Sequence, residues 1–382
     1  MADYNYRQLI ETGLKLAQET SLDAVLKTIA DSAIEICQAD GCSLYLRLRD
    51  GLVFKNSRNR TLESRGVHWQ GDEFSLPLDH SSIAGYVACT AQTLFLEDVN
   101  AIPAHYPFRF NSQFDRTYGY RSQSMLVLPL TDFSGKVSGV LQLVNYLKSG
   151  QVQPFPLALK EPAMVLSSQA GIALRNAILG EELLAAQYET AYRLGLAAET
   201  RDNETGNHLK RMALYSQLLA EASGMDSEFQ TIILHAAPLH DVGKIGIPDN
   251  ILQKRGGLSE DERELMKTHT ELGFQILQDS NSPLLSMGAR IALSHHEKWD
   301  GSGYPLGQTG PDIPLEGRIC AIADVFDALT SKRYYKRAWT WEEVWSYFEK
   351  ESGRHFDPML VHDFASQKAS ILEVYHLYRD ET

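Results

Sequence analysis

Residues 43–54 read SLYLRLRDGLVF, and this stretch decides the architecture of the N-terminal half. Its period is two: Leu44, Leu46 and Leu48 alternate with Tyr45, Arg47 and Arg49, as in a strand with one face on a core. Asp50-Gly51 then supplies the residue types that a tight hairpin turn prefers. Upstream the period changes, because Leu22, Val25, Leu26, Ile29, Ala33 and Ile36 recur at the three- and four-residue intervals of one helix face. Downstream, SMLVLPL at 124–130 and SGVLQLV at 138–144 read as two further strands, joined through a polar loop at 132–135. Helices flanking a mainly antiparallel sheet describe an α+β domain of roughly 160 residues.

The whole chain has 382 residues, too many for one compact core, so two units joined by a connector are expected. With 43% hydrophobic and 22% charged residues it has the matter for buried cores, which excludes disordered and collagen-like classes. Lys and Arg number 36 against 49 Asp and Glu, and the net charge of −13 opposes sequence-independent binding to nucleic acid or anionic lipid. No run approaches the ~18 apolar residues of a membrane span, and MADYNYRQLIETG lacks a signal-peptide pattern, so a cytoplasmic location is expected. Cys37, Cys42, Cys89 and Cys320 form no Cys-x-x-Cys pair and read as reduced and mostly buried.

LEDVN at 96–100, GYRSQSMLVLPL at 119–130 and SGVLQLVN at 138–145 match the order and spacing of GAF domains, which most of residues 1–180 resemble. The resemblance implies sensing of a small ligand, or dimerisation. Members that bind cyclic mononucleotides carry an Asn-Lys pair followed by a Phe and an Asp-Glu. Here Asn145 is followed by Tyr146, and Phe155 by Lys160-Glu161, so cAMP or cGMP is not the expected ligand. From Pro162 the next forty residues contain no further proline and only Gly171, Gly180 and Gly195 as weak breakers, which predicts a long helix. Val165, Ile172, Leu179 and Ala186 recur every seven residues on it, so a parallel helix pair and a homodimer are expected. The chain thus divides into an N-terminal α+β domain (1–160), a connecting, dimerising helix (161–195) and a helical C-terminal domain (196–382).

The C-terminal half carries the chemistry. RDNETGNHLKR (201–211), LHDVGKIGIPD (239–249), KTHTELG (267–273), SHHEKWDGSGYP (294–305) and IADVFDALTSKRYYK (322–336) are all rich in metal-ligand types. Glu204 and His208, four apart, share one face of a helix. Neighbours such as His240-Asp241 and His295-His296 diverge by ~100° on a helix, which suits a cluster of ions better than one ion. A carboxylate has two oxygens and can bridge two cations, so Asp241 is the candidate bridge. His269 and Asp324 complete a set of N and O donors too large for one tetrahedral zinc, which takes about four. Two or three ions are expected, with iron or manganese favoured by the mixture of imidazole and carboxylate without thiolate. His235, His355 and His362 read as ordinary core or surface histidines. Lys244, Arg333 and Lys336 place positive charge beside the ligands of an acidic chain, as phosphate recognition requires.

His240-Asp241 and Gly303-Tyr304-Pro305, with the FDALTSKRYYK block and GRHFDP at 353–358, resemble the HD-GYP phosphodiesterases over residues 196–357. The resemblance implies an all-α domain that hydrolyses cyclic di-GMP to linear pGpG, and in many members onward to GMP, by a metal-bridged hydroxide. It implies metal ligation by Glu204, His208, His240, Asp241, His269, His295, His296 and Asp324. It implies phosphate contacts from Lys244, Arg333 and Lys336, with Tyr304 bordering the substrate and Asp241 and Lys244 as catalytic groups. Tyr334 stands where the family commonly has proline. Two alternatives stand beside this reading: preference for a mixed cyclic GMP-AMP dinucleotide, and a non-catalytic receptor for such a ligand.

Overall fold

The computed structural model describes residues 2–67, 74–201, 206–331 and 337–379. The chain forms two compact units, Met1–Leu184 and Ala185–Thr382. In the first, a hydrogen-bonded antiparallel sheet contains β1 (Ala39–Arg47), β2 (Gly51–Asn59), β3 (Ser75–Pro77), β4 (Leu94–Leu96), β5 (Met125–Thr131), β6 (Val137–Lys148) and β7 (Gln151–Gln153). Its order is β3-β2-β1-β6-β5-β4, with β7 also on β6. The helices of this unit are α1 (Ala2–Gln18), α2 (Leu22–Cys37), α3 (Arg60–Ser64), α4 (Ile83–Thr90) and α5 (Gln113–Tyr118), followed by α6 (Lys160–Glu199), which continues into the second unit.

Both sheet faces are covered, which explains why β5 reads as the continuous apolar run MLVLPL instead of alternating. On one face α1, α2 and the first half of α6 bury Leu9, Ile29, Ile36, Leu166 and Leu174 against Leu44, Leu128 and Leu141. On the other, Ile83, Val87 and Phe108 meet Tyr45, Phe54, Val127 and Val140. Each such fully buried aliphatic side chain contributes about 1.5–3 kcal/mol. The turn between β1 and β2 falls at Arg49-Asp50, one residue earlier than the sequence predicts. Leu48 leaves the strand, is 52% exposed, and donates its N–H to the Gly51 carbonyl across the turn.

The long helix spans 40 residues. Its glycines are sites of close packing as well as weak points. A Cβ at Gly171 would collide with the backbone of Thr131 on β5, and one at Gly195 with the Pro238 carbonyl. Ala163, Leu166, Ala170, Leu174 and Ala177 are buried in the first unit's core, whereas Val165, Ile172 and Leu179 on the heptad face are 40–42% exposed.

The second unit is helical: α7 (Gly206–Ala222), α8 (Ser227–Ala236), α9 (Asp249–Leu252), α10 (Glu260–Lys267), α11 (His269–Leu277), α12 (Pro283–Ser294), α13 (Leu315–Thr330), α14 (Trp341–Glu351), α15 (Pro358–Ser366) and α16 (Lys368–Leu377). Its core gathers Tyr215, Phe326, Phe348 and Phe364 with aliphatic residues from most of these helices. Capping fixes the helix starts: Asp226 caps α8, and Ser259/Glu262 and Thr340/Glu343 form reciprocal capping boxes at α10 and α14. Among the described residues no helix is long and apolar enough to cross a membrane. Cys37, Cys42 and Cys320 are buried and Cys89 is exposed, all as free thiols.

Candidate metal centre

The His-Asp and His-His pairs lie just beyond helix ends. His240 and Asp241 sit between two 3-10 turns, Ala237–Leu239 and Val242–Gly246, and His295 is the C-cap of α12. The position matters because the last carbonyls of a helix lack intrahelical partners. His240 Nδ1 lies 3.1 Å from the Ala237 oxygen, His269 Nδ1 2.8 Å from Met266 O at the end of α10, and His295 Nδ1 3.1 Å from both Ile291 O and Ala292 O. A carbonyl only accepts, so each Nδ1 is the donor to it, and Nε2 is the nitrogen left facing inward and able to ligate a metal once it carries no proton. Those three Nε2 atoms are buried, and none has a hydrogen-bond partner.

They converge on Asp241. Its Oδ1 is 3.1 Å from His269 Nε2 and 3.6 Å from His295 Nε2, while Oδ2 is 3.2 Å from His240 Nε2 and 2.8 Å from Lys244 Nζ. Donor atoms within 4.8 Å of one another form three groups: Asp241, His269, His295 and His296; His208, His240 and Asp324; and Glu199, His240 and Asp241. Seven of the sequence-derived ligands, His208, His240, Asp241, His269, His295, His296 and Asp324, are therefore brought together. Glu204, Arg333 and Lys336 lie outside the described residues. His235 stands apart from these groups, stacked on Tyr188 at 3.7 Å.

Local packing makes this convergence possible. Gly243 lies so close to the His269 carbonyl and Gly273 that a Cβ would collide there, which lets the segment after Asp241 press against α11. Gly317 of α13 is similarly tight against Ser294 on α12, beside His295. His208 on α7 is oriented from behind: its Nδ1 is 2.8 Å from Asp327 Oδ2, and Arg211 donates to both oxygens of that carboxylate. Its Nε2 faces Asp324 Oδ1 at 3.9 Å.

The site's electrostatics follow from burial and these neighbours. Burial works against protonating His240, yet the carboxylates of Asp241, Asp324 and Glu199 together outweigh it and hold the imidazole up at about 9. Burial would raise the Asp241 carboxyl, but Lys244 and His240 hold it well below the ordinary range. For His295 and His296 burial dominates and lowers both. The Glu199 carboxyl is raised by burial, against the pull of Lys244. Carboxylates and imidazoles facing one small volume, with buried nitrogens left without hydrogen-bond partners, are a donor set suited to divalent metal.

The loop after His296 closes one side. Glu297, 2% exposed, accepts from Leu306 N–H at 2.7 Å and Gln308 N–H at 3.1 Å. Gly303 lies against the Glu297–Lys298 backbone with no room for a Cβ, and Tyr304-Pro305 is cis. The Tyr304 ring lies 4.8 Å from His296, with Lys267 Nζ 5.5 Å from its centroid. GRHFDP braces the same loop: Trp299 and Asp300 N–H donate to the carbonyls of His355 and Arg354, and Asp357 pairs with Arg318 at 2.7 Å.

Sequence reasoning missed Glu199, Asp327, Glu297 and Arg211. Asp327 follows Asp324 by three residues on one helix, a spacing that places both on a shared face and is the signal available for it.

The HD domain family matches residues 195–360 and the GAF domain family residues 21–174. A cyclic di-GMP phosphodiesterase of Thermotoga maritima is 48% identical over 194 residues, covering 51% of this chain and 53% of that protein. A 3'3'-cGAMP-specific phosphodiesterase of Vibrio cholerae is 47% identical over 191 residues, covering 50% and 37% respectively. A cyclic di-GMP phosphodiesterase response regulator of Xanthomonas campestris is 45% identical over 208 residues, covering 54% and 55%. The chain spans about half or less of the length of these curated relatives. The chain thus matches a GAF domain in its N-terminal half and an HD domain in its C-terminal half, and is similar to cyclic dinucleotide phosphodiesterases over about half of its length.

Proposed function

We propose that this protein is a metal-dependent phosphodiesterase that hydrolyses cyclic di-GMP, with either linear pGpG or GMP as the final product. The observation that carries the reading is the disposition of Asp241: one oxygen faces His269 and His295, the other faces His240 and Lys244. A carboxylate so placed suits two adjacent cations. Asp241, His269, His295 and His296 would hold one, and His208, His240 and Asp324 the other. Glu204 is assigned to a third position by family resemblance. The donor chemistry favours iron or manganese. When bound, such ions supply Lewis acidity and make a water nucleophilic near neutral pH.

The chain's own residues do the rest. Lys244, held against Asp241 Oδ2, presents its ammonium to the phosphodiester and stabilises charge that grows on the phosphoryl oxygens. Arg333 and Lys336 are assigned to the remaining phosphate contacts, and Tyr304 to the border of the substrate. Burial of the histidines keeps the site dry on its protein side, which strengthens each of these charge interactions. The GAF domain is assigned a regulatory role through a small ligand, and the exposed heptad face of α6 a homodimer contact.

A second reading, preference for 3'3'-cGAMP, is favoured by the near-equal identity to relatives of both names. A non-catalytic receptor is disfavoured by the ligand groups present. The test is anaerobic purification, elemental analysis and chromatography of the products from both dinucleotides. Hydrolysis by protein holding at least two metal equivalents supports the proposal. Metal-replete protein that binds both and cleaves neither overturns it in favour of the receptor.

A further inference from the structure

The third donor group, Glu199 with His240 and Asp241, has the composition of another metal position, yet a cation of the chain itself reaches into it. Lys244 Nζ lies 2.8 Å from Asp241 Oδ2 and 3.5 Å from Glu199 Oε1. Glu199 is 1% exposed, and its second oxygen is buried with no hydrogen-bond partner. It belongs to the last turn of α6, and that helix end holds the Lys244 segment elsewhere too. Arg201 donates to the carbonyls of Lys244 at 3.0 Å, Ile245 at 2.6 Å and Ile247 at 3.0 Å, and pairs with Asp249 at 2.6 Å. One turn earlier, Gly195 lies against the Pro238 carbonyl, two residues before His240.

Resting on the phosphodiesterase reading, we propose that Glu199 is a positioning residue for Lys244, not a metal ligand, and that Arg201 anchors the backbone on which this lysine stands. A ligand carboxylate shared with metal ions has less charge to offer Lys244. Glu199 then becomes the group that holds the ammonium toward the phosphodiester, and α6 becomes the element whose placement sets that lysine's aim.

The test uses the full chain loaded with manganese and compares wild type, Glu199→Gln, Glu199→Asp, Lys244→Met and the Glu199→Gln/Lys244→Met double variant. Three readouts are taken: bound metal, thermal midpoint, and kcat and KM for cyclic di-GMP. Glu199→Gln is expected to keep the full metal complement and lower kcat about 10–100-fold, the size typical of lost outer-shell contacts, with KM little changed. Glu199→Asp should recover part of the rate, and the double variant should be no slower than Lys244→Met. In the melts the two single substitutions should be non-additive, since contacting residues couple. Loss of a metal equivalent in Glu199→Gln would make Glu199 a ligand and overturn the proposal. So would additive effects in the melts, or an unchanged kcat. Should wild type cleave no cyclic dinucleotide, the hydrolase reading fails, while metal content and the thermal cycle still decide the pairing of Glu199 with Lys244.

Discussion

Replacing Asp327 with Asn perturbs the metal site without touching a proposed ligand oxygen. In the native protein the Asp327 carboxylate, 1% exposed, lies 2.8 Å from His208 Nδ1 and takes two bonds from Arg211, at 2.5 and 2.9 Å. Asn keeps the shape but gives up the charge, so a buried guanidinium loses its counter-ion. Breaking a buried pair this way costs about 3–5 kcal/mol. The lower end applies, because Arg211 keeps the Tyr378 carbonyl and the Ser331 hydroxyl. At about 2–4 °C per kcal/mol for a unit of this size, the midpoint should fall by about 6–12 °C. A second effect is chemical. An amide nitrogen turned toward His208 would make Nδ1 an acceptor and put the proton on Nε2, which then cannot ligate; metal affinity should fall about 10–100-fold. Calorimetric melts of chelated protein give the first number, and titration of manganese into the same protein gives the second. A variant that melts within about 2 °C of wild type and binds manganese as tightly would refute this account of His208.

Further outcomes follow from the same geometry. Asp241→Asn should abolish metal binding and turnover together, whereas Lys244→Ala should retain the metals and lose rate; elemental analysis beside a product assay separates the two. Gly303→Ala places a methyl group against the Glu297–Lys298 backbone, so it should displace Tyr304 and raise KM while metal content holds. Ile172→Lys on the exposed heptad face should convert a dimer to a monomer by light scattering without lowering the midpoint of the first unit, since Ile172 is 40% exposed; a wild-type monomer would refute the dimer seam.

Much of the architecture was legible because it is written in period. Alternation at 43–54 and the helical spacing before it gave the β1–β2 hairpin and α2, and the absence of proline after Pro162 gave α6. Leu48 misled because an alternating pattern does not say where a strand stops. By sequence alone the glycines of α6 are weak breakers, because the collisions that a Cβ would make at Gly171 and Gly195 involve chain distant in sequence. Metal-ligand residue types declared themselves by composition and adjacency. The residues that hold them did not: Asp327 meets Arg211 across 116 positions, and Glu199 meets Lys244 across 45. A buried acid that orients a histidine or a lysine has the same identity as a solvated helical acid until the fold brings its partner to it.

The central claim is that Asp241 joins two cation positions, and anomalous diffraction from manganese-loaded crystals tests it most directly. Two adjacent peaks are expected, one among His269, His295 and His296 and one among His208, His240 and Asp324, with Asp241 contacting both. A single peak, or a pair that leaves Asp241 uncoordinated, would contradict it.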